Sequence, residues 1–372
     1  MKPTPLYGPA FSSYAADEVG WLLTDLSHLN LEAPPAQREA AIQTGAAHYA
    51  ESLPVEYQPT ADYLRLFHAA LADSADRIAT AVGVVSELVL AQHHKPVIVS
   101  LARAGTPIGI LMRRWIEFAH GLRPPHYAVS IVRGRGIDRV ALQYLARHHD
   151  PEAVVFVDGW TGKGAICREL EAALAIVAKS ERLRFPFRLA VLTDPGSCTD
   201  TYGTRDDFLI PSACLNSTVS GLVSRTVLHD RLIAQDRFHG AKFYRDLRDA
   251  DVSALFLDRI AARFPSVADR VAVQWPKLAA ADRRPRWTGW TSTVALCEKY
   301  GLGDVNLVKP GVGETTRVLL RRVPWRVLMR PDAGPDVAHV RQLARERDVQ
   351  IDEVAGLPYR CVGLIRPQGL TS

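Results

Sequence analysis

The chain has 372 residues, 47% hydrophobic and 23% charged, a composition that suits two packed globular domains and excludes a disordered, collagen-like or coiled-coil chain. Its apolar runs stop well short of the roughly 20 residues that cross a bilayer, and residues 1–14 hold no apolar leader, so a cytoplasmic chain without a membrane partner is expected. Five cysteines (Cys167, Cys198, Cys214, Cys297 and Cys361) are too scattered for a disulfide framework or a zinc spacing, and 45 Lys and Arg against 40 Asp and Glu leave a weakly basic chain.

Residues 1–95 read as a helical region. Stretches 17–29 and 62–92 carry apolar side chains three and four apart, and Pro34, Pro35, Pro54 and Pro59 punctuate the loops between. From residue 96 the period changes: β-branched runs at 97–101, 127–132, 153–157, 187–192 and 207–210 alternate with helical stretches at 108–120, 137–148 and 165–178. Continuous apolar strands separated by helices predict an α/β fold with a parallel sheet covered on both faces, in a domain spanning 96–283 with ligands at the C-terminal strand ends. Residues 225–283 read as charged helices and 284–304 as a linker opened by Pro and Trp. A small second domain follows at 305–372, with helices at 314–322 and 337–347 and strands at 325–330 and 359–365. It holds eleven Lys and Arg against seven acids, and all but one of these cations are Arg, whose fork of donors fits phosphate oxygens.

The most informative stretch is 154–165 (VVFVDGWTGKGA), where a buried strand ends in Asp158 and the loop Gly159, Thr161, Gly162, Lys163, Gly164 opens a helix at Ala165. Backbone amides, a helix N-terminus and a Lys then converge on one point, an anion site beside a carboxylate able to accept from sugar hydroxyls; sugar phosphate is the natural ligand. The spacing departs from a Walker A loop, since Val157 and Gly164 stand where that motif needs Gly and Ser or Thr. The same run also reads as a tight strand-to-helix turn. A second strand-end loop, Ala102, Arg103, Ala104, Gly105 and Thr106, suggests a second phosphate group. No His, Cys, Asp and Glu spacing marks a metal site.

These two loops resemble those of the type I phosphoribosyltransferases. The resemblance implies a Rossmann-like sheet of that kind, with Asp158 on the ribose hydroxyls of phosphoribosyl pyrophosphate, Thr161 to Ala165 on the 5′-phosphate, and Ala102 to Gly105 with Arg103 on the pyrophosphate and its magnesium. It implies transfer of phosphoribose to a base-like acceptor, with Asp158, Arg103 and Lys163 in catalysis and Ser212, Asn216, Ser217 and Thr218 around the acceptor. Gly159 stands where that family has a second acid. More narrowly, 157–165, 206–226 (DDFLIPSACLNSTVSGLVSRT) and 309–322 (KPGVGETTRVLLRR) resemble the phosphoribosyltransferase-like proteins of bacterial tellurium-resistance and stress gene clusters, also labelled StiP-type cysteine proteases, which carry a C-terminal Pelota-type RNA-binding domain. Residues 311–317 further resemble the loop and helix start of kink-turn-binding ribosomal proteins, with Gly313 in place of Asn; this implies RNA contacts from Lys309, Gly311, Gly313, Glu314, Thr315, Arg317 and Arg321.

The rival chemistry is thiol-based. Cys214 follows a predicted strand among small polar residues, Cys198 lies in DPGSC, and a thiolate nucleophile needs a nearby base, for which His229, His239, His126 and His48 are available. A third reading is a non-catalytic sugar-phosphate and RNA-binding regulator. A homo-oligomer is left open.

Overall fold

The computed structural model describes residues 3–33, 50–56, 58–229 and 231–366. A mostly parallel seven-stranded sheet lies at its centre: β1 (Gly20–Leu22), β2 (Val97–Ala102), β3 (His126–Val132), β4 (Val154–Trp160), β5 (Leu189–Thr193) and β6 (Thr201–Thr204) run in the order β1-β3-β2-β4-β5-β6. The two-residue strand Gly136–Ile137 folds back antiparallel on β3. The apolar runs of β2 and β4 are buried along their length because helices cover both faces. From β2 the chain moves to β3 on one side and then recrosses to β4 on the other, so the loops after β2 and β4 emerge side by side.

Helix α1 (Ala61–Gln92) packs along the sheet over β5 and β6, and its buried stripe Phe67, Leu71, Ile78, Val82, Val85 and Val89 keeps the three-and-four spacing of the sequence. Each such side chain contributes about 1.5–3 kcal/mol by leaving water. Helices α2 (Thr106–His120), α3 (Arg139–His148) and α4 (Ala165–Glu181) make the remaining cover, and α5 (Ser253–Ala261) and α6 (Phe264–Ala280) pack on α1.

Four expectations change. Stretch 17–29 is not helical; it supplies β1, whose Trp21 and Leu22 are fully buried at the sheet edge beside β3, and tertiary pairing wins over local periodicity. Residues 207–210 run as coil into a short 3-10 turn, and the last sheet strand is β6 instead. Residues 225–252 hold no α-helix among those described; they fold back on themselves through the bridges Val223 to Phe243 and Val227 to Gly240. The 284–304 stretch contains α7 (Thr288–Lys299), whose Leu296 and Cys297 belong to a packed cluster with Val308, Leu328, Val362 and Leu364.

The C-terminal unit is a four-stranded sheet of β7 (Val308–Pro310), β8 (Pro324–Met329), β9 (Gln350–Glu353) and β10 (Cys361–Ile365) in the order β7-β10-β8-β9. Alternation along the strands splits the side chains between two faces: Leu328, Val362 and Leu364 pack with α7, while Val327, Met329 and Cys361 pack with α8 (Val312–Arg321) and α9 (Ala338–Glu346). The second group belongs to the same continuous core as Phe208, Ile210 and Cys214. The protein is therefore mixed α/β with a parallel sheet. No helix of the described residues is long and apolar enough to cross a membrane.

Candidate functional site

The crossing topology brings the two predicted loops together: a Cβ added to Gly159 would stand 3.6 Å from the Ala104 oxygen, and one added to Gly105 would meet the Val157 oxygen at 2.2 Å. Asp158 sits half-buried at the end of β4 with Oδ1 accepting the Gly159 amide at 2.8 Å, and burial pushes its carboxyl up to about 7. Arg103 is turned inward. It donates to the Val223 carbonyl at 3.1 Å and lies 3.7 Å from Glu56, whose Oε1 also accepts the Ser217 amide (2.9 Å) and hydroxyl (2.6 Å).

The loop expected to cradle a phosphate is occupied by protein. Thr161 donates to Asp194, which also takes the Cys198 amide at 2.7 Å. The Gly162 carbonyl accepts from the Tyr359 hydroxyl (3.1 Å) and the Cys198 thiol (3.4 Å), and Lys163 donates to the Val305 carbonyl (2.6 Å) and Asn306 (3.3 Å). Gly164 has φ +73°, and a Cβ there would lie 2.4 Å from the Trp287 ring. Burial, with Lys309 and Arg133 nearby, brings the Lys163 ammonium down to about 8. The Gly162 carbonyl and the Lys163 cation, in the loop expected to face a ligand, instead hold the C-terminal unit. Asp194 and Tyr359 escaped the sequence reading; Asp194 directly follows β5 and Asp158 lies near the end of β4, and that carboxylate at the close of an apolar strand was the available signal.

The expected RNA-binding loop is docked in turn. Asp207 of the core accepts the Val312 amide (2.9 Å) and the Arg360 amide (2.8 Å), so a carboxylate already caps the start of α8. Gly311 and Thr315 are buried, Gly313 and Lys309 half-buried, and Glu314 pairs with Arg317 at 3.2 Å. Arg321 donates to the Cys214 carbonyl and to Asn216 Oδ1 at 2.6 Å. The other expected acceptor-pocket residues also serve the fold: Ser217 and Thr218 are buried, and Ser212 is half-buried.

All five cysteines are buried. Burial pushes the Cys214 thiol up to about 12, while its charged neighbours Arg321 and Arg317 both pull it down. Burial also brings Cys198 up to about 12, and the strongest charge acting on it is the Asp194 carboxylate, which pushes the same way; Arg168 and Arg205 oppose it more weakly. Among the described residues no histidine bonds a cysteine sulfur: His126 is bound to Ser100 and to the Glu18 carbonyl, His239 to Ser130, and His229 accepts the Arg231 amide. His48 lies outside the described residues. Nor do the described residues gather three or more His, Cys, Asp and Glu side chains around a metal position.

Residues 12–261 match the family described as tellurite-like stress resistance cysteine protease StiP, and residues 287–367 match the PELOTA RNA binding domain. A curated relative, the cysteine protease StiP of Acinetobacter baylyi (strain ATCC 33305 / BD413 / ADP1), is 34% identical over 373 residues, which cover 96% of this chain and 94% of that one. These matches overturn the expectation of phosphoribosyl transfer and favour the thiol-based alternative. The closure of the 161–164 loop by Trp287, Tyr359 and Val305 gives the physical reason that motif likeness misled: the glycines serve close packing between units.

Proposed function

Because the chain belongs to the StiP family of stress-resistance cysteine proteases, we propose that it is a thiol-dependent peptidase with Cys214 as its nucleophile, and that its C-terminal unit binds RNA. One observation carries the choice of cysteine. Both charged groups acting on Cys214 are arginines, which favour the thiolate, whereas Cys198 donates to two carbonyl oxygens beside a carboxylate. The sulfur of Cys214 attacks a peptide carbonyl, the amine leaves with a proton, and water then releases the acyl group. In the closed arrangement the thiol is protonated and covered by α8, so peptide entry requires Arg321 to swing away from the Cys214 carbonyl. The core serves as a Rossmann-like parallel-sheet scaffold for that chemistry.

The test is cleavage of a fluorescently labelled unfolded protein by the purified chain. Cys214→Ala is expected to remove cleavage, at least a hundredfold, while Cys198→Ala keeps it; activity surviving in Cys214→Ala would remove this cysteine from the mechanism. For RNA, fluorescence polarisation with a structured RNA is expected to show binding that weakens with salt and with Lys309→Ala plus Arg322→Ala, cations in β7 and directly after α8. Binding untouched by that pair would move the RNA surface elsewhere.

A further inference from the structure

On the opposite side of β3 from β2, a cleft of about 880 Å³ opens between the 135–147 segment and residues 228–239. That volume falls within the range of small-molecule sites, about 300–1,000 Å³. Its floor is apolar, with Ile137 and Ile233 buried. At its edge Asp138 is fully used by the protein, taking the Ala141 amide (3.1 Å) and the His239 amide (2.6 Å), and the His239 ring is anchored by Nδ1 to the Ser130 hydroxyl at 2.8 Å.

Among the described residues, four exposed arginines, Arg135, Arg139, Arg147 and Arg237, line this cleft against one exposed acid, Asp236. Arg139 pairs with Glu181 and Arg147 is bound through Nε to the Gln143 carbonyl, but the guanidinium groups of Arg135 and Arg237 have no hydrogen bond or ion pair among the described residues. Arg135 is presented by a constrained loop. Gly134 and Gly136, both at positive φ, direct their amides onto the Glu169 carboxylate at 3.0 and 3.1 Å, and this fixes the turn between them. Guanidinium groups collected around one opening repel each other until an anion joins them, and their planar forks match phosphate oxygens two at a time.

We propose that this cleft binds a small molecule carrying two or more phosphate groups, at a site separate from Cys214 and from the loops after β2 and β4. The site stands independently of the peptidase reading. A nucleic-acid strand is the competing occupant, and the cleft disfavours it because its lining, among the described residues, contains no Phe, Tyr or Trp on which successive bases stack.

Titration calorimetry of the full chain with sodium tripolyphosphate tests this. Binding is expected, weakening as salt rises, and at least tenfold weaker in the double variant Arg135→Glu, Arg237→Glu. Both side chains are exposed and have no partner among the described residues, so the variant is expected to keep its circular dichroism and Tm. Arg270→Glu, on the exposed side of α6, is expected to leave binding unchanged. Absence of binding by the unmodified chain overturns the proposal, as does binding that the double variant retains. A 12-nucleotide RNA that loses affinity in the double variant, when tripolyphosphate does not bind at all, assigns the cleft to a strand and likewise overturns it.

Discussion

Asp207 joins the two units with a single carboxylate, taking amides from Val312 and Arg360 at the place where a helix N-terminus draws an anion. Asp207→Ala leaves the buried Val312 amide and the half-buried Arg360 amide without a partner and is expected to cost about 2–3 kcal/mol, read from urea unfolding. Asp158 gives a pH signature. Its folded-state carboxyl, raised from 3.8 to about 7 by burial, holds its proton more tightly than in the unfolded chain, so stability falls as pH rises from about 4 to about 7. Asp207, raised to about 6, acts in the same direction over a narrower range. Asp158→Asn is expected to flatten the fall of Tm across that window and to raise stability at pH 7.5 by about 2 kcal/mol, with little change at pH 4; an unaltered pH profile would contradict the burial account. Arg321→Lys keeps the charge that favours the Cys214 thiolate while releasing the fork that covers the Cys214 carbonyl, and alkylation of that thiol by iodoacetamide is expected to quicken at least tenfold.

At the scale of elements, the 161–164 loop is a docking device. Gly196 admits the Gly162 oxygen so closely that a Cβ would approach it to 1.8 Å, and Gly289 would meet the Tyr359 hydroxyl at 2.1 Å. Gly196→Ala is therefore expected to destabilise by more than about 2 kcal/mol, and Tyr359→Phe, which removes only the bond to Gly162, by about 1 kcal/mol. Equal losses for the two would mean that the backbone relaxes and the contact is looser than described. Helix α1 was legible because its apolar spacing extends over 32 residues and every turn repeats the same face. Stretch 17–29 offers similar spacing over little more than three turns, and there a vacant sheet edge beside β3 decides the conformation.

Across the whole molecule, the two units share one core: Val312, Leu319 and Val327 lie in the same continuous cluster as Ile210, Cys214 and the helix α1 stripe. Ion pairs reinforce it, with Asp336 holding both Arg77 (3.0 Å) and Arg360 (3.2 Å). A single calorimetric unfolding transition is expected, since units with a shared apolar core lose it together; two separated transitions would show independent domains.

The sequence by itself determined the alternation of apolar strands and helices from residue 96, the basic C-terminal unit, and the position of the loops carrying Arg103 and Asp158 after strands of one sheet, because these follow from periodicity; that the two loops meet was decided by the strand order of the folded sheet. It also placed Gly162, Lys163 and Gly164 in a special turn. Only the tertiary structure decided what that turn holds, since a lysine binds a phosphate and a protein carbonyl by the same kind of hydrogen bond, and the partners of Lys163 and of the Gly162 carbonyl come from 305–306 and 359, more than a hundred residues away. The same holds for the start of α8, which its loop suits to any anion and which Asp207 occupies.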